Sequence, residues 1–164
     1  MHYFAYGSNM SLSRLRERVP SAEAIGRFAL ARHDLRFHKS SKDGSGKCDA
    51  YFTSDSGDMI YGVLFKIDPN EKSALDKSEG LGYGYAEKEV TVRAYDESSI
   101  VAITYIATNI DESLKPYSWY VNHVLVGAAE ASLPSGYIEA KINSVDAVED
   151  SDRERDAKQR AIHS

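Results

Sequence analysis

The chain has 164 residues, of which 42% are hydrophobic and 27% charged, a balance that excludes a disordered or fibrous chain and fits one domain rather than two. At this length about 70% of the unfolded surface can be buried, so a core forms without disulfides or metal. Twenty Lys and Arg against 25 Asp and Glu give a net charge of −5, which argues against a nucleic-acid partner, since such binding is dominated by phosphate neutralisation.

The opening segment His2 to Tyr6 reads as a short aromatic strand that stops at the turn-forming triplet Gly7-Ser8-Asn9. Its flanks lack the basic start and apolar run of a secretory signal, so a reducing, cytoplasmic setting is the expectation. A helical segment follows, with Leu12, Leu15 and Val19 on one side; Ser11 or Asn9 caps it and Pro20 stops it. A strand, a turn of small polar residues and a helical turn together leave backbone N–H groups pointing past the strand's end. An ordinary β–α corner has the same local sequence.

Extended segments are expected over Gly26 to Phe37, Asp49 to Thr53 and Met59 to Ile67, with loop composition from Lys39 to Lys47 and a tight turn at Ser54 to Asp58. Pro69 opens a helix through Leu75 and Glu79, because proline is tolerated in a first helical turn. Glu87 to Tyr95 alternates, with Val90, Val92 and Ala94 on one face, and Ile100 to Ala107 is its expected hairpin partner. From Pro116 the period changes to helical, through Tyr117, Tyr120, Val121, Val124, Leu125 and Ala128 to about Ser132. A shorter helix is expected from Tyr137 to Val145. Glu149 to Arg160 carries almost nothing apolar and reads as a solvated helix or, by preference, a frayed tail. Strands before helices make an α+β chain. It divides into a domain over 1–145 and a charged tail over 146–164. No apolar run is long enough for a spanning helix, so no membrane partner is expected.

Chemistry is sparser. Strand alternation puts His33 and His38 on opposite faces, and His123 has no acidic or histidine partner one turn on, so no metal is expected. Gly80 to Gly84, GLGYG, has the wrong spacing and the wrong flanking elements for a dinucleotide loop. It reads as a bend that lets Tyr83 or Tyr85 line a cavity. Ser8 lacks the surroundings of a nucleophilic serine, and Cys48, the only cysteine, reads as an unreactive small residue. Glu79 differs. At the carboxyl end of its helix the dipole disfavours a carboxylate, and enclosure in a cavity would raise its pKa further, as a general acid/base near neutral pH requires.

Three blocks together resemble the γ-glutamylcyclotransferase family: FAYGSNM (Phe4 to Met10), YGVLFKID…ALDKSEG (Tyr61 to Gly80), and TYIATN (Thr104 to Asn109) followed by KPYSWYVNHVLVGAAEASLPSGYI. The likeness covers about residues 1 to 145; Met10 stands where many members have leucine. It implies a small mixed β-barrel with flanking helices and one polar cavity. It also implies conversion of a γ-glutamyl amino acid or dipeptide into 5-oxoproline and a free amine, with neither cofactor nor metal. By the same resemblance Glu79 is the catalytic acid/base, and Tyr6, Gly7, Ser8, Asn9 and Met10 hold the glutamyl group, with Tyr105 and Tyr85 on the pocket wall. A γ-glutamylamine or glutathione as substrate, and a non-catalytic domain that only binds γ-glutamyl compounds, are the alternatives. The expected partner is a small molecule, with the chain a monomer or a homodimer.

Overall fold

Five strands close into a barrel in the order β1-β5-β2-β6-β7 in the structure, a computed structural model that describes residues 1–164. They are β1 (His2–Ala5), β2 (Glu23–Ala31), β5 (Met59–Lys66), β6 (Tyr85–Arg93) and β7 (Ser99–Ala107). Neighbours pair antiparallel, with Phe4 opposite Leu64, Phe28 opposite Gly62 and Val90 opposite Ala102. The last seam is different: β1 meets β7 in parallel at Tyr3 and Ile103, which makes the barrel mixed and removes its open edge. Thr104 fastens the same seam by donating its hydroxyl to the Phe4 carbonyl at 2.8 Å.

The remaining strands, β3 (His33–Ser40) and β4 (Gly46–Phe52), form a separate two-stranded sheet. The single extended segment expected over Gly26 to Phe37 is therefore two strands. Arg32 breaks it with φ 65°, and the chain leaves the barrel there, held by Arg32 N–H to the Asp58 carbonyl and Thr53 N–H to the Arg32 carbonyl, both 2.9 Å. A non-glycine residue in the left-handed region is uncommon, and arginine gives no turn signal in the sequence. The loop between β3 and β4 is shorter than its composition suggests, because pairing continues to Ser40 opposite Gly46. A bulge between Arg36 and Lys39 re-aims the end of β3, so simple alternation does not govern His38. His38 is buried and bonds Asp49 at 2.7 Å, whereas His33 bonds the Ala31 carbonyl at 2.7 Å and Lys88 at 2.9 Å.

Helices surround this framework. Ser11 caps α1 (Leu12–Arg16), and Leu15 and Val19 are fully buried, as the spacing predicts. A short 3₁₀ turn, Pro69–Glu71, leads into α2 (Lys72–Glu79). Gly80 ends α2 at φ 68°, a left-handed cap completed by Leu81 N–H to the Asp76 carbonyl at 2.9 Å. The long helix α3 (Ser118–Glu130) buries Trp119, Tyr120, His123 and Val124 and crosses the turn after β1 at Gly127. A β-carbon there would lie 2.5 Å from the Ser11 amide, so only glycine permits this approach. The shorter helix expected from Tyr137 begins as α4 (Ser135–Tyr137) and continues as a π-helix over Ile138–Asn143.

The charged segment from Glu149 is not frayed. Asp152 caps α5 (Arg153–Ala161), whose Arg160 reaches back to Asp156 at 3.1 Å. Buried Asp150 accepts from Trp119 at 2.8 Å and from Arg155 at 2.6 and 2.7 Å, while Gln159 and His163 bond the two ring nitrogens of His123. Polar side chains on α3, invisible as a docking face in a hydrophobicity pattern, hold this helix down. No helix is long and apolar enough to cross a membrane.

Candidate active site

β1 delivers Tyr6 and then the 3₁₀ turn Ser8–Met10 to one end of the barrel, and α2 delivers Glu79 to the same place as its last residue. Between them lies a cleft of about 300 Å³ lined by Tyr6, Gly7, Ser8, Asn9, Glu79, Tyr85 and Tyr105, with Tyr3, Cys48 and Tyr120 completing its wall. Seven of the eight residues singled out from the sequence thus meet in one cavity. Met10 does not. Its side chain is buried against α3 beside Gly127, and its N–H closes the turn by bonding the Gly7 carbonyl at 3.1 Å.

The amides of Gly7, Ser8 and Asn9 bond to no backbone acceptor, which leaves three donors along the cleft wall. Backbone donors in a largely buried turn are seldom left so, and here they form a ready site for a negatively charged or strongly polarised oxygen. Asn9 spends its side-chain amide inside the site, donating to the Tyr3 hydroxyl at 3.1 Å and to the Glu79 carboxylate. Burial pushes the Glu79 carboxyl above its ordinary value, more strongly than Arg18, Arg14, the Asn9 bond and Lys39 pull it down. A carboxyl raised in this direction is better suited to both taking and returning a proton than an exposed one.

The tyrosines are mostly committed. Tyr6 donates to the Tyr105 carbonyl, Tyr85 to the Cys48 carbonyl at 2.6 Å, and the Tyr120 hydroxyl accepts from Cys48 N–H at 2.9 Å. Tyr105 gives the cleft its ring, but its hydroxyl turns away to Asp76 at 2.5 Å, one helical turn before Glu79. Lys72 bonds the same Asp76 oxygen, Oδ1. Of the two tyrosines in the glycine-rich bend, Tyr85 lines the cleft, whereas Tyr83 is 89% exposed. Burial raises the Cys48 thiol to about 12, which suits a wall residue rather than a nucleophile.

The sequence marks neither Tyr3 nor Tyr120 as a wall residue, and it does not place Arg14, Arg18, Lys39 and Lys47 together next to Glu79. No group of three or more His, Cys, Asp or Glu side chains is arranged to hold a metal ion.

Comparison with known proteins agrees with this geometry. Residues 59–140 match the AIG2-like family. The gamma-glutamylcyclotransferase of Bos taurus is 36% identical over 149 residues, covering 88% of this chain and 78% of that protein. The gamma-glutamylcyclotransferase of Homo sapiens is 34% identical over 142 residues, covering 84% and 74%. A solved structure described as gamma-glutamyl cyclotransferase superposes with a TM-score of 0.86 at 28% identity, covering 99% of this chain and 97% of that one.

Proposed function

This chain belongs to the γ-glutamylcyclotransferase family of enzymes, and on that premise we propose that it closes the γ-glutamyl group of an amino acid or dipeptide derivative into 5-oxoproline. The single observation that carries the reading is the Glu79 carboxylate held by Asn9 in a cleft whose wall offers the free amides of Gly7, Ser8 and Asn9.

The substrate brings its own nucleophile. Its α-nitrogen and the γ-carbonyl carbon are the two ends of the five-atom ring to be closed, so the enzyme has to fold the chain, deprotonate the ammonium group and stabilise what forms. Glu79 removes the proton. The nitrogen lone pair then forms the new C–N bond, and the carbonyl electrons move onto oxygen, where the turn amides receive the negative charge. Glu79 returns that proton to the leaving nitrogen, the carbonyl re-forms as the bond to that nitrogen breaks, and the second proton on the ring nitrogen passes through Glu79 to the released amine. The products are 5-oxoproline and an ammonium ion, which accounts for every proton of the substrate. No covalent enzyme intermediate is needed. Tyr85 and Tyr105 enclose the reacting atoms, and Tyr6 braces the barrel end by its bond to the Tyr105 carbonyl. Met10, buried behind the turn, supports it rather than touching substrate.

The test is a panel of γ-glutamyl compounds incubated with the protein, with 5-oxoproline and free amine measured together. Equal release of both from γ-glutamyl amino acids supports the reading. Turnover confined to glutathione or to γ-glutamylamines changes the substrate, and silence across the whole panel replaces the enzyme with a binding domain.

A further inference from the structure

Beside the cleft, and sharing Asn9, Glu79 and Tyr85 with it, lies a second hollow of about 590 Å³. Four cations line it: Arg14 from α1, Arg18 just beyond, Lys39 from β3 and Lys47 from β4. Lys47 is paired with Asp43 at 2.8 Å. Arg14 gives one guanidinium nitrogen to Gln159 at 2.9 Å, but its Nε is buried with no partner at all. Arg14, Arg18 and Lys39 form no ion pair with any carboxylate of the protein within 4.0 Å. With Glu79 ionised and Asp43 offsetting Lys47, two positive charges stay uncompensated in a partly enclosed space. Such self-repulsion is a standing cost that an anion relieves.

The reaction already assigned to the adjoining cleft fixes what can lie there. The γ-glutamyl half carries one ammonium and one carboxylate, so it contributes no net charge. A simple leaving amine adds nothing, a neutral amino acid adds one negative charge, and an acidic amino acid adds two. We infer that the leaving amine is an acidic amino acid, whose two carboxylates lie among Arg14, Arg18 and Lys39. The substrate class is then the γ-glutamyl derivative of glutamate or aspartate. This inference rests on the proposed function only for which half of the substrate faces Glu79; the cationic hollow is independent of it.

Calorimetric binding to Glu79→Gln, which keeps the cleft but lacks its base, tests the inference without turnover. γ-Glutamyl-glutamate is expected to bind about tenfold tighter than γ-glutamyl-alanine, the size of one added charge-assisted contact. Introducing Lys39→Gln or Arg18→Gln into that background should remove most of the difference, and raising the salt should narrow it. Two variants are used so that one unstable protein does not decide the matter. In the wild-type chain kcat/KM should follow the same order. Equal affinities, or tighter binding of γ-glutamyl-alanine, overturn the inference even if both compounds yield 5-oxoproline. Charge-selective binding with no 5-oxoproline from any compound overturns the proposed reaction and leaves the anionic subsite standing. If neither compound binds, both fall.

Discussion

Asn9 donates its side-chain amide to the Glu79 carboxylate across 70 residues of chain, joining the turn after the first strand to the end of α2. The bond favours the ionised carboxyl, against the burial that raises its pKa. Replacing Asn9 with Ala removes that pull, so Glu79 should hold its proton to higher pH. The acid limb of the kcat/KM profile is then expected to move upward in pH, with turnover recovering in more alkaline buffer. A limb that stays where it is in the wild type would show that Glu79 is not the group being titrated.

Glu79→Gln should abolish turnover while retaining the fold. General acid–base groups contribute about 10²–10⁴-fold, and a carboxyl used twice in one cycle should reach the top of that range, with the loss in kcat rather than KM. Retention of more than about a tenth of the wild-type kcat assigns the proton to another residue.

The same variant carries a stability signature. Because the folded pKa of Glu79 is raised, the folded state holds its proton at pH values where the unfolded chain has released it. The wild type therefore loses stability as pH rises from the ordinary carboxyl range through the raised folded value. Gln lacks this penalty. Melting curves of the two proteins should separate above that window, with Glu79→Gln the more stable, and converge below it. A Gln variant that melts lower at neutral pH contradicts the burial of the carboxyl.

Tyr105 presents its ring to the cleft and its hydroxyl to Asp76. Tyr105→Phe keeps the wall and loses one hydrogen bond, and Lys72 continues to pair with Asp76. A cost of about 1 kcal/mol in stability and less than a tenfold fall in kcat is expected. A loss beyond a hundredfold, with the melting curve little changed, would mean that the hydroxyl turns to the substrate during the reaction.

Gly127 lets α3 touch the turn at Met10 and Ser11. Gly127→Ala inserts a methyl group 2.5 Å from both the Ser11 amide and the Met10 β-carbon, so helix or turn must move. Overpacking of this kind costs about 1–3 kcal/mol. Activity should fall more than thermal denaturation suggests, because the displaced segment carries the free amides. Unaltered kcat with a lowered Tm would separate the turn from catalysis.

The two halves of the candidate site were legible for different reasons. The turn announces itself by three small polar residues after an aromatic strand, and Glu79 by its position before a helix-ending glycine. Arg14, Arg18, Lys39 and Lys47 give no such sign: they come from three elements, and the linear run Arg14 to Arg18 is interrupted by Glu17. The barrel's alternating and helical periods were readable along the chain, but the departure at Arg32 was not, since it depends on backbone partners at Thr53 and Asp58. The C-terminal helix departs from the frayed tail its composition predicts because its anchors, Asp150, Gln159 and His163, are polar groups finding buried polar partners on α3.

The parallel seam between β1 and β7 sets an order of events as the chain leaves the ribosome. The first strand emerges well before the partners that close its second edge: Tyr6 bonds across 99 residues and Thr104 closes the seam across 100. Closing loops of that length is entropically costly and slow compared with forming the β6–β7 hairpin. The N-terminal segment can pair with β5 midway through synthesis, but its second edge and the Tyr6 anchor wait until the final strand exits. During that wait its aromatic strand is the segment a chaperone has most reason to shield, and fusion or immobilisation at the N-terminus should slow maturation more than a similar attachment in the exposed loop around Glu97.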